Sequence, residues 1–157
     1  MNTTLDRVTT AAESHHDSLR DRLATRTELL ITAVASRRLY DSAREELVEF
    51  LHEELLAHTE VEAGLLYSAG DRGQTALLVA AMLDEQRMMA KLVREIDEAT
   101  DPVDLVIAAG ALVVLFDLCA DQEDRYLLPA LAAAGVDLPV LLQEAPEVVG
   151  AVAPGRY

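Results

Sequence analysis

Imidazole and carboxylate side chains recur at helical spacing in this sequence. His58 and Glu62 are four residues apart, which places both on one face of a helix. Cys119 and Glu123 have the same spacing further along the chain, and His16 comes three residues before a leucine of an apolar stripe. Imidazole nitrogens and carboxylate oxygens that converge inside a helical bundle can hold iron or manganese. The spacing therefore predicts an interior metal site formed by His16, His58, Glu62 and Glu123.

Two buried carboxylates need compensation, because an unpaired charge in a protein interior costs several kcal/mol. A bound cation, protonated histidines or proton uptake by the carboxylates would each supply it. A metal ion is the first interpretation, and a metal-free network of His and Glu is the second. Glu85 and Gln86 both fit the apolar register of their segment, so they are further candidate ligands together with Cys119. By periodicity alone, His15 is nearly equivalent to His16.

Four long segments with helical periodicity would carry these side chains. They cover about residues 4–35, 42–68, 74–99 and 102–134. Ser42 and Glu45 match a capping box at the start of the second segment. Asp101 followed by Pro102 matches an N-cap and a first-turn proline at the start of the fourth. Gly135 supplies a left-handed stop at its end.

Composition and length favour a single all-α domain. The 157 residues are 51% hydrophobic but only 4% aromatic, which is typical of packed helices. Four long helices with short connections predict an antiparallel up-down-up-down four-helix bundle over residues 1–135. Residues 136–157 are predicted to form a short C-terminal helix or tail that covers one end of the bundle.

Charge and segment composition limit the classes of partner. The chain has 13 Lys and Arg against 28 Asp and Glu, a net charge of −15, which disfavours nucleic acid and anionic membranes as partners. No uninterrupted apolar run approaches 18 residues, and the N-terminus has no signal-peptide pattern. A single cysteine excludes an intrachain disulfide. The sequence predicts a soluble, cytoplasmic, acidic protein.

Three stretches of the chain match a known pattern. They are SHHDSLR (14–20), FLHEELLAHTEVEAGLLY (50–67) and LCADQEDRYLLPAL (118–131). The second carries H-x-x-x-E followed by an apolar residue and Tyr, and the third carries a carboxylate four residues after Cys119 and then LxP. Through these motifs the chain resembles the haemerythrin-like (HHE cation-binding) family over about residues 10–133.

The resemblance implies a non-haem di-iron centre that has been altered. The family holds two irons with seven side chains, of which this chain retains four: His16, His58, Glu62 and Glu123. Three family histidines are replaced by Gln86, Ala90 and Cys119, and in the family all three serve the same iron. The resemblance thus implies either a mononuclear site or a second site rebuilt with Glu85, Gln86 or Cys119.

Three functions are consistent with these features. The first is a haemerythrin-like protein with one or two non-haem iron ions, which binds or senses O2, NO, peroxide or the metal itself. If such a protein is an enzyme, a weak iron-dependent redox activity is expected. The second is a metal-free bundle that acts as an interaction or regulatory module. The third is a vacated site refitted for another ligand such as haem, with Cys119 or a histidine as the binding residue.

Overall fold

The computed structural model describes residues 3–143, with side chains described for residues 6–142. This part of the chain is helical and contains no strand, so the all-α prediction is confirmed for it. It has four long helices, one short α-helix and a single 3-10 turn, Gly73–Thr75. In chain order the helices are α1 (Thr3–Ala35), α2 (residues 41–70), α3 (Ala76–Glu98), α4 (Pro102–Ala133) and α5 (Leu138–Gln143).

Helices α2 and α4 contain π-helical turns. In α2 these are Leu51–Leu56 and Ala63–Tyr67, which flank the α-helical segment Ala57–Glu62. In α4 the π-helical turn is Glu123–Leu127. A π turn is rare in proteins and is often found at a functional site. Here His58 and Glu62 lie between two such turns of α2, and Glu123 is the first residue of the turn in α4.

The predicted capping box at the start of α2 is wrong. The N-cap residue is Tyr40, two residues before the predicted Ser42, and Tyr40 makes no side-chain capping hydrogen bond; the helix begins at Asp41. Ser42 therefore lies within the first turn, where its hydroxyl donates to Glu46 Oε1 at 3.4 Å. The carboxylate of Asp41 lies at the positive end of the helix dipole, which favours a start at this residue over one at the Ser42–Glu45 pair.

The ends of the other helices agree with the sequence more closely. Asp101 Oδ1 accepts a hydrogen bond of 2.7 Å from the Val103 backbone N–H, and Pro102 occupies the first turn, so this predicted N-cap is confirmed. Gly135 has a φ of 82° just after α4 ends, as predicted. Helix α2 continues to Gly70, two residues further than predicted.

The long helices pack so that α1 contacts α2 and α4, and α3 also contacts α2 and α4. Their buried apolar side chains form two clusters. The first cluster includes Leu19, Leu23, Leu55, Met89 and Phe116. The second cluster includes Ala12, Leu66, Tyr67, Met82 and Leu127. Between the two lie the buried side chains of His16, His58, Glu62 and Glu123, which we call the polar layer.

Helix α5 packs against α1 and the end of α4. Leu138 and Leu142 are buried in the second cluster, so this helix covers the apolar side chains at that end of the molecule. The predicted short C-terminal helix is therefore present. Residues 144–157, where a tail was predicted, lie outside the described residues.

Helix α4 is the one helix of the described chain that is both long and strongly apolar. By length and composition alone it could cross a membrane, with a mean hydropathy of 2.3 over its most apolar window, of which 39% is buried. A core helix of a soluble protein passes the same test. The predicted absence of a membrane partner and the predicted cytoplasmic location both stay predictions.

Candidate metal centre

Two imidazoles from different helices meet at one carboxylate oxygen. His16 Nε2, from α1, lies 3.0 Å from Glu62 Oε1, and His58 Nε2 lies 2.6 Å from the same oxygen. Both pairs are almost fully enclosed, with each of the three residues at most 4% exposed. One potential ligand atom from each residue lies within 4.8 Å of the other two. The arrangement provides two nitrogen donors and one carboxylate around a common point.

The fourth predicted ligand extends this group from α4. Glu123 is 1% exposed, and its Oε1 lies 4.0 Å from His16 Nε2. Its other oxygen accepts a hydrogen bond of 3.4 Å from the Tyr67 hydroxyl. The structure thus brings His16, His58, Glu62 and Glu123 together in the interior.

Sequence reasoning missed Asp124. Its Oδ1 accepts a hydrogen bond of 2.9 Å from His16 Nδ1, on the side of the ring away from Glu62. A carboxylate in this position fixes the orientation of a metal-binding imidazole and raises its basicity. On a regular α-helix, Asp124 and Glu123 would point in directions about 100° apart. The π turn that begins at Glu123 has no simple sequence pattern, so only the adjacency of the two acids could have singled out Asp124.

Several buried polar atoms of the polar layer have no hydrogen-bond partner within the described residues. They are His58 Nδ1, His58 Nε2 and Glu123 Oε1. His58 Nε2 is close to Glu62 Oε1, but the two atoms are not oriented as a donor and an acceptor. Buried polar atoms without a partner are uncommon in proteins, and a bound ion is one physical reason for them. The donor atoms of the polar layer therefore fit a cation.

The pKa values of His16 and Glu62 shift in opposite directions. Burial alone would lower the pKa of His16, but hydrogen bonds to Asp124 and Glu62 and the charge of Glu62 raise it to about 10. Burial alone would raise the pKa of Glu62, but the nearby charge of His58 and the hydrogen bond from His16 hold it well below its ordinary value. Without a metal, these two groups form a buried ion pair.

The pKa values of Glu123 and Tyr67 are both raised. Burial, followed by the negative charge of Glu62, raises the pKa of Glu123 well above its ordinary value. Burial and the neighbouring Glu123 likewise raise the pKa of Tyr67. In the metal-free protein these effects favour the protonated form of Glu123, which would relieve its repulsion from Glu62.

The three further candidate ligands bond to other protein groups. The Cys119 thiol donates to Glu85 Oε2 at 3.2 Å, and the Gln122 amide donates to Glu85 Oε1 at 3.2 Å. Burial and Glu85 raise the pKa of Cys119, which keeps it a thiol. The Gln86 amide donates to the Thr59 carbonyl oxygen at 3.1 Å.

The apolar register of α3 explains where these residues lie. Met82 and Met89 are buried, which leaves Glu85 and Gln86 half-buried between them. Ala90, which the resemblance places at a histidine position of the family, is exposed. The positions where the resemblance places the missing histidines therefore hold the hydrogen-bonded Gln86 and Cys119 and the exposed Ala90.

The remaining two histidines differ in position. His15 is half-buried, and its ring centroid lies 5.0 Å from that of His58. Burial and the charges of His58 and His16 lower the pKa of His15 to about 4. His52 is exposed on α2, away from the polar layer.

Comparison with known proteins adds no relative to this picture. No family model, curated protein or solved structure matches the chain. The resemblance to haemerythrin-like proteins therefore rests on the three sequence motifs alone.

Proposed function

We propose that this protein is a haemerythrin-like iron-binding protein. It holds one non-haem ion in the polar layer of an antiparallel up-down-up-down four-helix bundle. The ion, in turn, binds a small ligand such as O2, NO or peroxide, or serves as the signal itself.

Pairs of interacting residues support the antiparallel topology. His16 of α1 pairs with Glu62 of α2. Arg22, which comes later on α1, pairs with Glu54, which comes earlier on α2. His16 also pairs with Asp124 of α4. Arg20, which comes later on α1, pairs with Asp117, which comes earlier on α4.

Pairs between α2 and α3 run the same way. Thr59 is paired with Gln86, whereas Arg44, at the start of α2, bonds to the carbonyl oxygen of Ala99, just after the end of α3. Each neighbouring pair of these helices is therefore proposed to run in opposite directions.

The contact between His58 and Glu62 is the main observation in support of a bound metal. Their atoms are 2.6 Å apart without the geometry of a hydrogen bond, and His16 lies 3.0 Å from the same oxygen. Ligands bound at about 2.1 Å in adjacent octahedral positions are about 3.0 Å apart. A small movement of Glu62 would let all three side chains bind one ion. Binding also requires loss of the His16 Nε2 proton, so metal uptake would release protons.

The donor set supports iron over other metals. Two histidines and one carboxylate on one side of an ion, with open positions opposite, are typical of non-haem Fe(II) sites. Glu123 is close enough to become a further ligand after small adjustments, and Asp124 orients His16. The open positions of a bound iron would supply the coordination chemistry for a diatomic ligand or peroxide. Any enzymatic activity is proposed to be a weak iron-dependent redox reaction.

One ion is proposed because the second half of a family-type centre is not available. Cys119 and Gln86 donate hydrogen bonds to Glu85 and Thr59, respectively. A second ion would have to break these contacts, and it would be held by few ligands besides shared carboxylates.

A metal-free interaction module is the second candidate, and His16 is the residue that favours it. Both of its ring nitrogens bond to carboxylates, Glu62 on one side and Asp124 on the other, so a protonated His16 compensates part of their charge without a metal. A haem is supported less well, because His16, His58 and Cys119 are each at most 4% exposed. A haem would therefore have to open the packed interior to reach them.

Elemental analysis and an absorption spectrum of the freshly purified protein test the proposal. We expect up to one iron per chain and no absorption of an oxo-bridged iron pair. A protein that contains no metal and takes up none when Fe(II) is added under anaerobic conditions would favour the metal-free module. A Soret band would indicate haem.

A further inference from the structure

We propose that two copies of this chain pair through the outer face of α4, in an antiparallel arrangement with twofold symmetry. The surface consists of four exposed apolar residues, which we call the outer stripe: Val103, Ile107, Val114 and Leu118. All four precede Glu123, the polar-layer residue of α4, and point away from the interior. The inference therefore does not depend on the proposed metal site.

The outer stripe lies on the face of α4 opposite to the core. Its members are 61%, 63%, 70% and 47% exposed in chain order, whereas Leu112 and Phe116 of the opposite face are buried. Steps of four, seven and four residues keep the members on one face of a helix. The strip is about 23 Å long. It exposes roughly 400 Å² of mostly apolar surface, a size at which such patches often mark interaction sites.

The spacing of the outer stripe is the same when α4 is read in either direction. In an antiparallel pair of α4 helices, Val103 of one copy therefore lies opposite Leu118 of the other, and Ile107 lies opposite Val114. A twofold interface requires this reciprocity, because every contact between two different residues occurs twice. A lipid surface or an unrelated protein would not require it. The symmetry of the spacing therefore favours a second copy as the partner.

Small residues lie where the two helices would cross. The midpoint of the outer stripe falls between Gly110 and Ala111, of which Gly110 is half-buried and Ala111 is exposed. A Cβ added to Gly110 would meet nothing within 4 Å. Small residues at a crossing point allow two helix axes to approach to about 8 Å. The larger side chains of the outer stripe would then pack on both sides of the crossing.

Acidic residues beside the outer stripe disfavour a membrane as its partner. Along one edge, Glu95, Glu98 and Asp104 line the groove between α3 and α4. At the other edge lies Asp117, which pairs with Arg20 of α1. These edges and the net charge of −15 repel anionic headgroups. In a dimer the same carboxylates would lie in the polar, solvated rim of the interface.

The size of the outer stripe determines the expected strength of the dimer. With its neighbours on the helix it would bury roughly 500 Å² per copy, less than the ~800 Å² per partner of a standard interface. Repulsion between the acidic edges of the two copies weakens the contact further at low salt. We therefore expect a reversible dimer rather than a permanent one.

Sedimentation velocity of the full-length chain tests the pairing, over about 5–500 µM protein in about 0.5 M salt. We expect a monomer–dimer equilibrium for the wild type. Ile107→Lys and Val114→Glu each place a charge in the apolar contact, so each should weaken dimerisation at least tenfold. The matched control is Leu77→Lys, which changes an 82% exposed leucine near the start of α3 and should leave dimerisation unchanged. Circular dichroism checks that all variants are folded.

The double variant Ile107→Lys/Val114→Glu tests the antiparallel arrangement. Within one chain the two positions are two turns, about 10.5 Å, apart, so the new charges do not pair with each other. In an antiparallel dimer each new lysine faces a new glutamate of the other copy, and dimerisation should be at least threefold stronger than in either single variant. In a parallel dimer like charges would face each other, and the double variant would dimerise more weakly than both.

Four results would overturn the proposal. A wild type that stays monomeric throughout would exclude the dimer, as expected if residues 144–157 or another protein cover the outer stripe. A dimer that neither single variant weakens would use a different surface. A double variant weaker than both single variants would contradict the antiparallel arrangement. A monomer that binds vesicles of phosphatidylcholine and phosphatidylglycerol, with binding lost in Ile107→Lys and Val114→Glu, would assign the outer stripe to a membrane.

Discussion

Glu62 and Glu123 are two buried carboxylates with different roles in the metal-free protein. Glu62 stays ionised because His16 and His58 surround it, and its charge raises the pKa of Glu123. A cation in the polar layer would remove the reason for this asymmetry, because it would stabilise both carboxylates in the ionised form. The two residues therefore report on whether an ion is present.

Replacement of Glu62 by alanine tests the proposed ligand shared by both histidines. In Glu62→Ala we expect loss of iron binding and a lower melting temperature when Fe(II) is present, because a ligand that binds the native state stabilises it. The control is Glu60→Ala, which removes an exposed carboxylate two residues away on the same helix. Thermal melts of all three proteins with Fe(II) and with a chelator measure the effect.

The chelator series separates the two candidate functions. With a metal-dependent site, the difference between wild type and Glu62→Ala should shrink in chelator, because the wild type then loses the stabilisation that the bound metal provides. A difference that persists undiminished would contradict a role in metal binding. It would instead favour a structural network of His16, His58 and Glu62.

Cys119 provides the complementary test. Its thiol contacts Glu85, and its pKa is raised, so we expect Cys119→Ala to retain the iron content of the wild type. Loss of a buried thiol and of its hydrogen bond should lower the free energy of unfolding by about 1–2 kcal/mol. Metal analysis and urea denaturation measure the two effects. Loss of half or more of the iron would show that Cys119 is a ligand and that the second half-site has been rebuilt.

At the scale of the helices, the regular spacing of the site residues could be predicted from the sequence, whereas the π-helical turns could not. His58 and Glu62, and likewise Cys119 and Glu123, were placed on shared faces by their spacing, and all four are buried as a result. The π turn from Glu123 to Leu127 is not encoded by apolar periodicity. For that reason Asp124, whose contact with His16 depends on this region, could not be predicted.

The third helix shows a second limit of periodicity. Two registers of α3 fit the sequence equally well, and burial of Met82 and Met89 selects one of them. The hydrogen-bond partners then determine where the two polar side chains lie, since Glu85 bonds to groups of α4 and Gln86 bonds to a carbonyl of α2. Which of the two would face the polar layer depends on these neighbours, which the local sequence does not specify.

The close approach of three helices at Gly70 gives a prediction for the second cluster. A Cβ at this position would lie 3.0 Å from Leu127 Cδ1 and 3.0 Å from Val79 Cγ2, so the neighbouring side chains would have to move. We expect Gly70→Ala to lower the free energy of unfolding by about 1 kcal/mol. In the matched variant Gly64→Ala nothing lies within 4 Å of the new Cβ, and the higher helix propensity of alanine should raise stability by about 0.5–1 kcal/mol. Urea denaturation of both variants tests this; equal effects would contradict tight packing at Gly70.

At the scale of the whole molecule, the polar layer interrupts an otherwise apolar interior. It lies between the two apolar clusters, where neither water nor exposed side chains reach most of its atoms. The net charge of −15 favours the approach of cations and disfavours anionic partners. Both properties suit an interior site for a cation, whose charge would stabilise the ionised forms of Glu62 and Glu123.

The central claim is that the polar layer binds one iron ion. Anaerobic calorimetric titration of the metal-depleted protein with Fe(II) tests it most directly, with Glu62→Ala and Glu60→Ala titrated alongside. We expect one ion per chain for the wild type and for Glu60→Ala, with proton release on binding, and no binding to Glu62→Ala. Two ions per chain would contradict a mononuclear site, and equal binding by Glu62→Ala would contradict its location in the polar layer.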